Sequence, residues 1–315
     1  MITSEDPLVS VSLITYNQRE LIARALDGVL AQRTDFPVEI IVGDDHSTDG
    51  TREILLDYQR RHPHCIFLIL HPRRYSGEIA GRTNNITNLM ACRGKYTAML
   101  DGDDYWTDPL KLQRQVDILE ARPEVVACAH DSRYKTTDGS PLPDYLPPTV
   151  NAKVGNPTTG VYRLKDIIPP RRVLIKPSTF VFRTRAYGQL PEWFWDVVMA
   201  DAIHSFMVVD LGDLYYDERV MAVQTIDYGS FTKAYVHNVR TITRQIKDNE
   251  LLEELFEEFA GNELHRFERN QLRIKLVRKL RQEKKYWPML RQFGRAVWEE
   301  PRYNASKLTQ RLFNR

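Results

Sequence analysis

The sequence predicts an α/β protein with a Rossmann-like, mostly parallel central sheet flanked by helices, followed by a helical C-terminal extension. Strand-like and helix-like segments alternate four times within residues 1–123. Such alternation folds as a doubly wound parallel sheet with right-handed crossovers. The second strand-like segment is short and continuously apolar, as strands covered on both faces are. From about residue 235 onward the pattern is helical, with no internal repeat.

Residues 8–16, LVSVSLITY, alternate and are rich in β-branched side chains, which favours a strand. Asn17 can cap the next helix, where Leu21, Ile22, Ala25, Leu26, Val29 and Leu30 recur at helical spacing. VEIIVGDD (38–45) is the second strand, TREILLDYQRRH a helix and CIFLIL (65–70) the third strand. GRTNNITNLMACRG fits a helix closed by Gly94. KYTAMLD (95–101) is the fourth strand, and PLKLQRQVDILEARP a helix with Pro109 in its first turn. Pro141, Pro143, Pro147, Pro148 and Pro157 mark an irregular loop over 136–160, and loops of this length often cover a site. VLIKPSTFVFRTRAY reads as a strand or hairpin, WFWDVVMADAIHSFMVVDLG as a helix ending at Gly212, and DLYYDERVMAVQTI as a hairpin.

With 42% hydrophobic and 27% charged residues the composition is that of an ordered globular chain. No apolar run approaches the roughly 18–20 residues that span a bilayer. MITSEDPLVSVSLITY is acidic where a secretory leader is basic. Cys65, Cys92 and Cys128 are scattered and form no CxxC pair, which suits a reducing compartment and not a thiolate metal site. A cytoplasmic location is therefore expected. The net charge of +2 conceals an asymmetry: residues 262–315 hold 15 Lys and Arg against 5 Asp and Glu. The remainder is acidic, so a nucleic-acid partner is not expected.

Ligands of doubly wound sheets bind beyond the carboxyl ends of the strands. Asp44 and Asp45 follow the second strand, and Asp101, Asp103 and Asp104 the fourth. Carboxylates so close raise one another's pKa unless a cation stands between them. A solvated turn is the alternative, but it does not require acidic residues of two strands to share one edge. Hard cations such as Mg²⁺ or Mn²⁺ take carboxylate oxygens and share their shell with substrate phosphates. The chain has neither GxxxxGK[ST] nor GxGxxG; TYNQRE ends the first strand instead. Metal and arginine would then hold the phosphates, as suits a nucleoside diphosphate leaving group.

VSLITYNQRELIARALDGVLAQ, EIIVGDDHSTDGT, GRTNNITNLMACRGKYTAMLDGDDYW and DPLKLQRQ, in this order, resemble the family 2 glycosyltransferases of the GT-A fold, of the inverting, bacterial surface-polysaccharide type. The resemblance is close over residues 8–120, looser over 173–232, and does not cover the tail. It implies a GT-A domain over 1–235, with a nucleotide-binding half (1–123) and an acceptor-binding half (124–235), then a basic helical extension over 236–315. It implies that Ile14, Thr15 and Tyr16 line the base pocket, largely through backbone groups. Asp45, with Asp44 beside it, would accept a hydrogen bond from a uracil or thymine imide; capping of the STDGT turn is the plainer role for Asp45. Arg82 would face the nucleotide, although a surface place at a helix start is open to it. Asp101 and Gly102 would lie at the ribose, and Asp103 and Asp104 on the metal, Mn²⁺ or Mg²⁺.

An inverting transfer needs a base to take the acceptor's proton. The resemblance assigns that role to Asp201, with Asp196 as the fallback. Trp193 and Trp195 would stack on an acceptor sugar or serve the core, and His204 is expected to pack. The chain departs from the family at QTID (224–227), where many relatives have YRIH and Asp227 stands in the histidine's place. It also lacks the QxxRW of processive synthases: Gln292 and Arg295 keep the spacing, but Ala296 follows. The resemblance thus implies transfer of one sugar from a UDP- or dTDP-sugar to a hydroxyl of a glycan or lipid-linked glycan. A nucleotidyltransferase would carry GxGTR near the first strand; a non-catalytic nucleotide-sugar or glycan-binding module would lack a working base. RIKLVRKLRQEKKYWPMLRQFGRAVW (273–298) suits an anionic membrane surface, or else packs on the domain or on a second subunit of an oligomer.

Overall fold

The computed structural model describes residues 6–74, 81–138, 140–142, 146–168, 171–184, 190–197, 199–226, 239–260 and 262–283, with residues 288, 291, 292 and 295. The first half alternates as expected: β1 (Val9–Thr15), α1 (Ile22–Leu30), β2 (Val38–Asp44), α2 (Thr51–Arg61), β3 (Ile66–Leu70), α3 (Arg82–Ala91) and β4 (Tyr96–Asp101). There follow β5 (Tyr105–Trp106), α4 (Lys111–Ala121), β6 (Val125–Thr136), β7 (Gly160–Tyr162), α5 (Leu164–Ile167), β8 (Val181–Arg183), α6 (Ala200–Val209) and β9 (Asp213–Ile226). Two longer helices close the described chain, α7 (Val239–Leu255) and α8 (Glu263–Gln282).

Among the described residues nine strands make one sheet, ordered β3-β2-β1-β4-β8-β6-β9-β5, with β7 paired to β9. The β3-β2-β1-β4 part is parallel. Its strands bury Val9, Val11, Leu13, Val38, Ile40, Val42, Ala98 and Leu100, and α1 covers them with Ile22, Ala25, Leu26 and Val29. Burial of each Val, Leu or Ile side chain among them contributes roughly 1.5–3 kcal/mol. α3 approaches so closely that a Cβ built on Gly43 would lie 2.2 Å from Asn84 Oδ1. That closeness lets Asn84 Nδ2 donate to Gly43 O at 2.9 Å, and Asn88 Nδ2 to Ser12 Oγ at 2.8 Å and Ile41 O at 3.0 Å.

Several local expectations are corrected. Asn17 does not cap α1; with φ of 50° it turns the chain, and its Oδ1 accepts from Thr48 N at 2.9 Å. α3 ends before Cys92, and Gly94 instead donates its N–H to Ser10 Oγ at 2.7 Å. β9 is one 14-residue strand and not a hairpin, because partners on both sides, β6 and β7, hold it extended. The tryptophans lie in a 3₁₀ turn, Glu192–Trp195, and α6 starts only at Ala200 and stops three residues short of Gly212. β8 runs antiparallel to both β4 and β6, so the sheet is mixed beyond β4.

The described residues within Met1–Ile167, Arg171–Trp195 and His204–Ile226 form one compact unit. Those within Ile168–Pro170, Asp196–Ile203 and Asp227–Arg315 form a second, so residues 196–203 group with the C-terminal helices. No described helix is long and apolar enough to cross a membrane.

Candidate active site

The register of the parallel strands levels their carboxyl ends. Ile14 stands opposite Gly43 on one side and Asp101 on the other, and Thr15 stands opposite Asp44. Asp45 N donates to Thr15 O at 3.0 Å and Gly102 N to Ile14 O at 2.8 Å. The sequence-predicted residues 14–16, 44–45 and 101–104 are therefore brought to one edge. Gly102 is tied to this geometry: a Cβ there would lie 2.5 Å from Gln18 Oε1 and 3.0 Å from the Thr15 side chain. Gln18 Oε1 in turn accepts from Thr15 Oγ1 at 2.7 Å.

The two aspartates after β2 have different surroundings. Asp44 is fully buried, and its Oδ2 accepts from Ser47 N at 3.0 Å and from Arg52 Nε at 2.5 Å. Arg52 also donates to His71 O, so Asp44 organises the turn. Asp45, also buried, has Arg74 Nε 3.7 Å from its Oδ2. Arg74 donates to the Tyr16 hydroxyl at 3.0 Å and lies 3.8 Å from the centroid of that ring. Sequence reasoning missed Arg74: it lies in HPRR, beyond β3, with no spacing that ties it to Tyr16 or Asp45. Arg82 is buried at the start of α3, 5.7 Å from the centroid of the Phe194 ring.

At the acidic loop, Asp101 and Asp103 are half-buried and Asp104 is buried. Burial and the neighbouring negative charge of Asp103 push the Asp104 carboxyl up to about 7. Thr225 N opposes that rise by donating to Asp104 Oδ1 at 2.9 Å, and Thr225 Oγ1 donates to Asp103 O. Thr225 belongs to QTID, so this segment does reach the acidic loop, though through a threonine; Asp227 lies outside the described residues. Behind the loop, Trp106 donates its Nε1 proton to Ser178 O at 2.8 Å. Lys111 Nζ lies 4.1 Å from the centroid of the Trp106 ring and donates to Gln115 Oε1 at 2.7 Å. Complete burial holds this ammonium well below the usual lysine range.

The remaining predicted residues belong to other segments of the chain. Trp193 is half-buried beside Phe194, with ring centroids 6.0 Å apart, while Trp195 is 41% exposed. Asp196 is exposed, and so is Asp201 in the first turn of α6; both belong to the second unit. His204 packs as expected, with its ring centroid 5.1 Å from that of Phe182 and 6.1 Å from that of Phe180. In the C-terminal unit, Arg269 Nη1 donates to Glu253 Oε2 at 2.6 Å and Arg273 Nη2 to Glu250 Oε1 at 2.8 Å. Ile274, Leu276, Val277 and Leu280 are buried. The described start of the basic tail therefore buries these apolar residues.

A family model described as glycosyl transferase family 2 matches residues 10–189. The chain belongs to that family. Among curated relatives, a putative teichuronic acid biosynthesis glycosyltransferase of Bacillus subtilis, TuaG, is 34% identical over 149 residues, covering 46% of this chain and 54% of the relative. An uncharacterized protein of Mycobacterium tuberculosis is 45% identical over 139 residues, covering 44% of this chain and 39% of its own length. The chain thus spans about half, or less, of the curated relatives it matches. In structure it resembles S. aureus TarS 1–349 in complex with UDP-GlcNAc, with a TM-score of 0.60 at 17% identity, covering 92% of this chain and 81% of that one. It also resembles the mannosyltransferase PcManGT of Pyrobaculum calidifontis in complex with GDP-Man and Mn²⁺, with a TM-score of 0.57 at 17% identity, covering 97% and 85%. At such identities the likeness is one of fold, and that fold is GT-A.

Proposed function

We propose that this protein is an inverting, metal-dependent, non-processive glycosyltransferase. It moves a single sugar from a UDP- or dTDP-sugar to a hydroxyl of a glycan or lipid-linked glycan in surface polysaccharide synthesis. The observation that carries this reading is the levelled edge of β1, β2 and β4, which gathers Asp45 with Arg74 and the Asp101–Asp104 loop. Family membership supports glycosyl transfer over nucleotidyl transfer. The nucleotide-sugar complexes of TarS and PcManGT and the teichuronic acid role given to TuaG support the donor and acceptor classes.

Adjacent Asp103 and Asp104 are hard oxygen donors of the kind that hold Mg²⁺ or Mn²⁺ together with phosphate oxygens. Among the described residues no group of three or more His, Cys, Asp or Glu side chains is placed to hold a metal ion by itself, so ligand and water oxygens would complete the shell of such an ion. When bound, the cation would supply charge neutralisation at the diphosphate. Asp45 accepts the imide proton of the base, and Arg74 sets the Tyr16 ring beside it. Asp101 and Gly102 serve the ribose. Asp201 takes the acceptor proton; the acceptor oxygen bonds to the anomeric carbon as the bond to the diphosphate oxygen breaks. Arg82 compensates the charge of the departing diphosphate. Trp195, which is exposed, offers a face for acceptor stacking. The reading describes a cytoplasmic enzyme, and any contact with an anionic membrane would fall to the tail beyond Glu283.

Calorimetric titration of UDP and dTDP, with and without Mn²⁺, tests the donor site on the wild type and on Asp103→Ala. Metal-dependent binding of one nucleotide, abolished in the variant, is expected. Absence of binding by either nucleotide under every condition would overturn the reading.

A further inference from the structure

We propose that Asp248 of α7 is a positioning residue for the first turn of α6, and through it for Asp201. A C-terminal helix then takes part in placing the proposed base. This inference rests on the reading of Asp201 as the base.

The start of a helix leaves four backbone N–H groups without intrahelical acceptors, and a Ser, Thr, Asp or Asn just before the first turn normally supplies one. α6 has no such local residue, since Met199 precedes Ala200. The acceptor comes from 49 residues away: Met199 N donates to Asp248 Oδ2 at 2.8 Å. Met199 O accepts from Ile203 N at 2.9 Å, so this residue is held on both its backbone groups, two positions before Asp201. Asp248 is only 4% exposed. An ionised carboxylate is costly to bury unless it is hydrogen-bonded, and a charged acceptor at a helix N-terminus also meets the positive end of the helix dipole.

The supporting helix is itself braced. α7 buries Ile242, Ile246 and Leu252 and is tied to α8 by Glu250–Arg273 at 2.8 Å and Glu253–Arg269 at 2.6 Å. The His265 ring adds a contact of 3.1 Å between its Nε2 and Asn249 O. Asp196–Ile203 and the C-terminal helices group in one compact unit, as a shared mechanical role requires. Small displacements of a reacting group lower turnover steeply, a shift of about 1 Å by as much as about 100-fold.

The test measures kcat, donor KM and UDP affinity for Asp248→Ala, Asp248→Asn and Asp201→Asn, with hydrogen–deuterium exchange over residues 199–203. Asp248→Ala is expected to lower kcat by about tenfold or more, leave donor KM and UDP affinity unchanged, and speed exchange of these amides. Asp248→Asn keeps an acceptor oxygen and is expected to recover most of the turnover. In the Asp201→Asn background Asp248→Ala should add no further loss. If the alanine variant does not fold, Asp248→Ser, polar but too short to reach Met199, decides in its place by the same readouts. Undiminished kcat in a folded Asp248→Ala or Asp248→Ser, where Asp201→Asn is inactive, would overturn the inference alone. Full activity of Asp201→Asn would instead overturn the reading on which it rests.

Discussion

The strand ends of the parallel sheet and the α7–α8 pair both bury charged side chains, and they do so in opposite ways. Between α7 and α8, Arg269 and Arg273 each meet a glutamate of the facing helix. At the strand ends like charges are neighbours, and the buried Asp104 carboxyl is pushed up to about 7 by burial and by Asp103. A buried charge that has its counter-ion describes a structure complete in itself. Carboxylates crowded together at the ligand edge of a sheet raise one another's pKa, an arrangement that a bound cation would relieve. Asp44 and Asp45 both have arginine partners, but at different distances: Asp44 is secured by Arg52 and Ser47, while Asp45 has Arg74 3.7 Å away, beside Tyr16.

The comparison can be broken at either end. The largest effect is expected at the acidic loop, where Asp103→Ala should lower transfer by roughly 10²–10³-fold. Its melting temperature should hold or rise, because a like-charge neighbour is removed. A fall in melting temperature that parallels the loss of activity would make Asp103 structural instead. Next is the packing that levels the strands. Gly43→Ala forces a Cβ against Asn84 Oδ1 and should destabilise by about 3 kcal/mol, read as a lower denaturant midpoint. At the helix pair, Glu250→Ala removes one ion pair of the buried Arg273. The expected cost is about 2 kcal/mol, below the buried-pair range because the Glu250 side chain is 37% exposed. Nucleotide affinity should not change.

The most gradual effect is a slope. His204, boxed by Phe180, Phe182 and Phe194, has its imidazole pushed down to about 3 by burial. A folded pKa below the unfolded one means that the unfolded chain binds the extra proton. Stability should therefore fall as the pH drops from 6.5 toward 3. His204→Phe should flatten that dependence in acid denaturation curves; an unchanged slope would assign it to other groups.

Much of the molecule is legible along the chain, because its signals are local. β1 to β4 and the helices between them follow from apolar runs and helical spacing within about a dozen residues. The acidic residues at the strand ends follow from the same reading, since a parallel sheet puts all its carboxyl ends on one side. What only the tertiary structure decided are contacts between distant segments. Arg74 joins Tyr16 and Asp45 across 58 and 29 residues of chain, and Thr225 reaches Asp104 from 121 residues away. β9 remains one strand because β6 and β7 hold it, where composition alone suggests a turn. α6 takes its capping carboxylate from α7. Local pattern dictates which backbone a segment prefers, whereas hydrogen bonds and ion pairs between segments exist only once the chain has closed on itself, so no spacing in the sequence announces them.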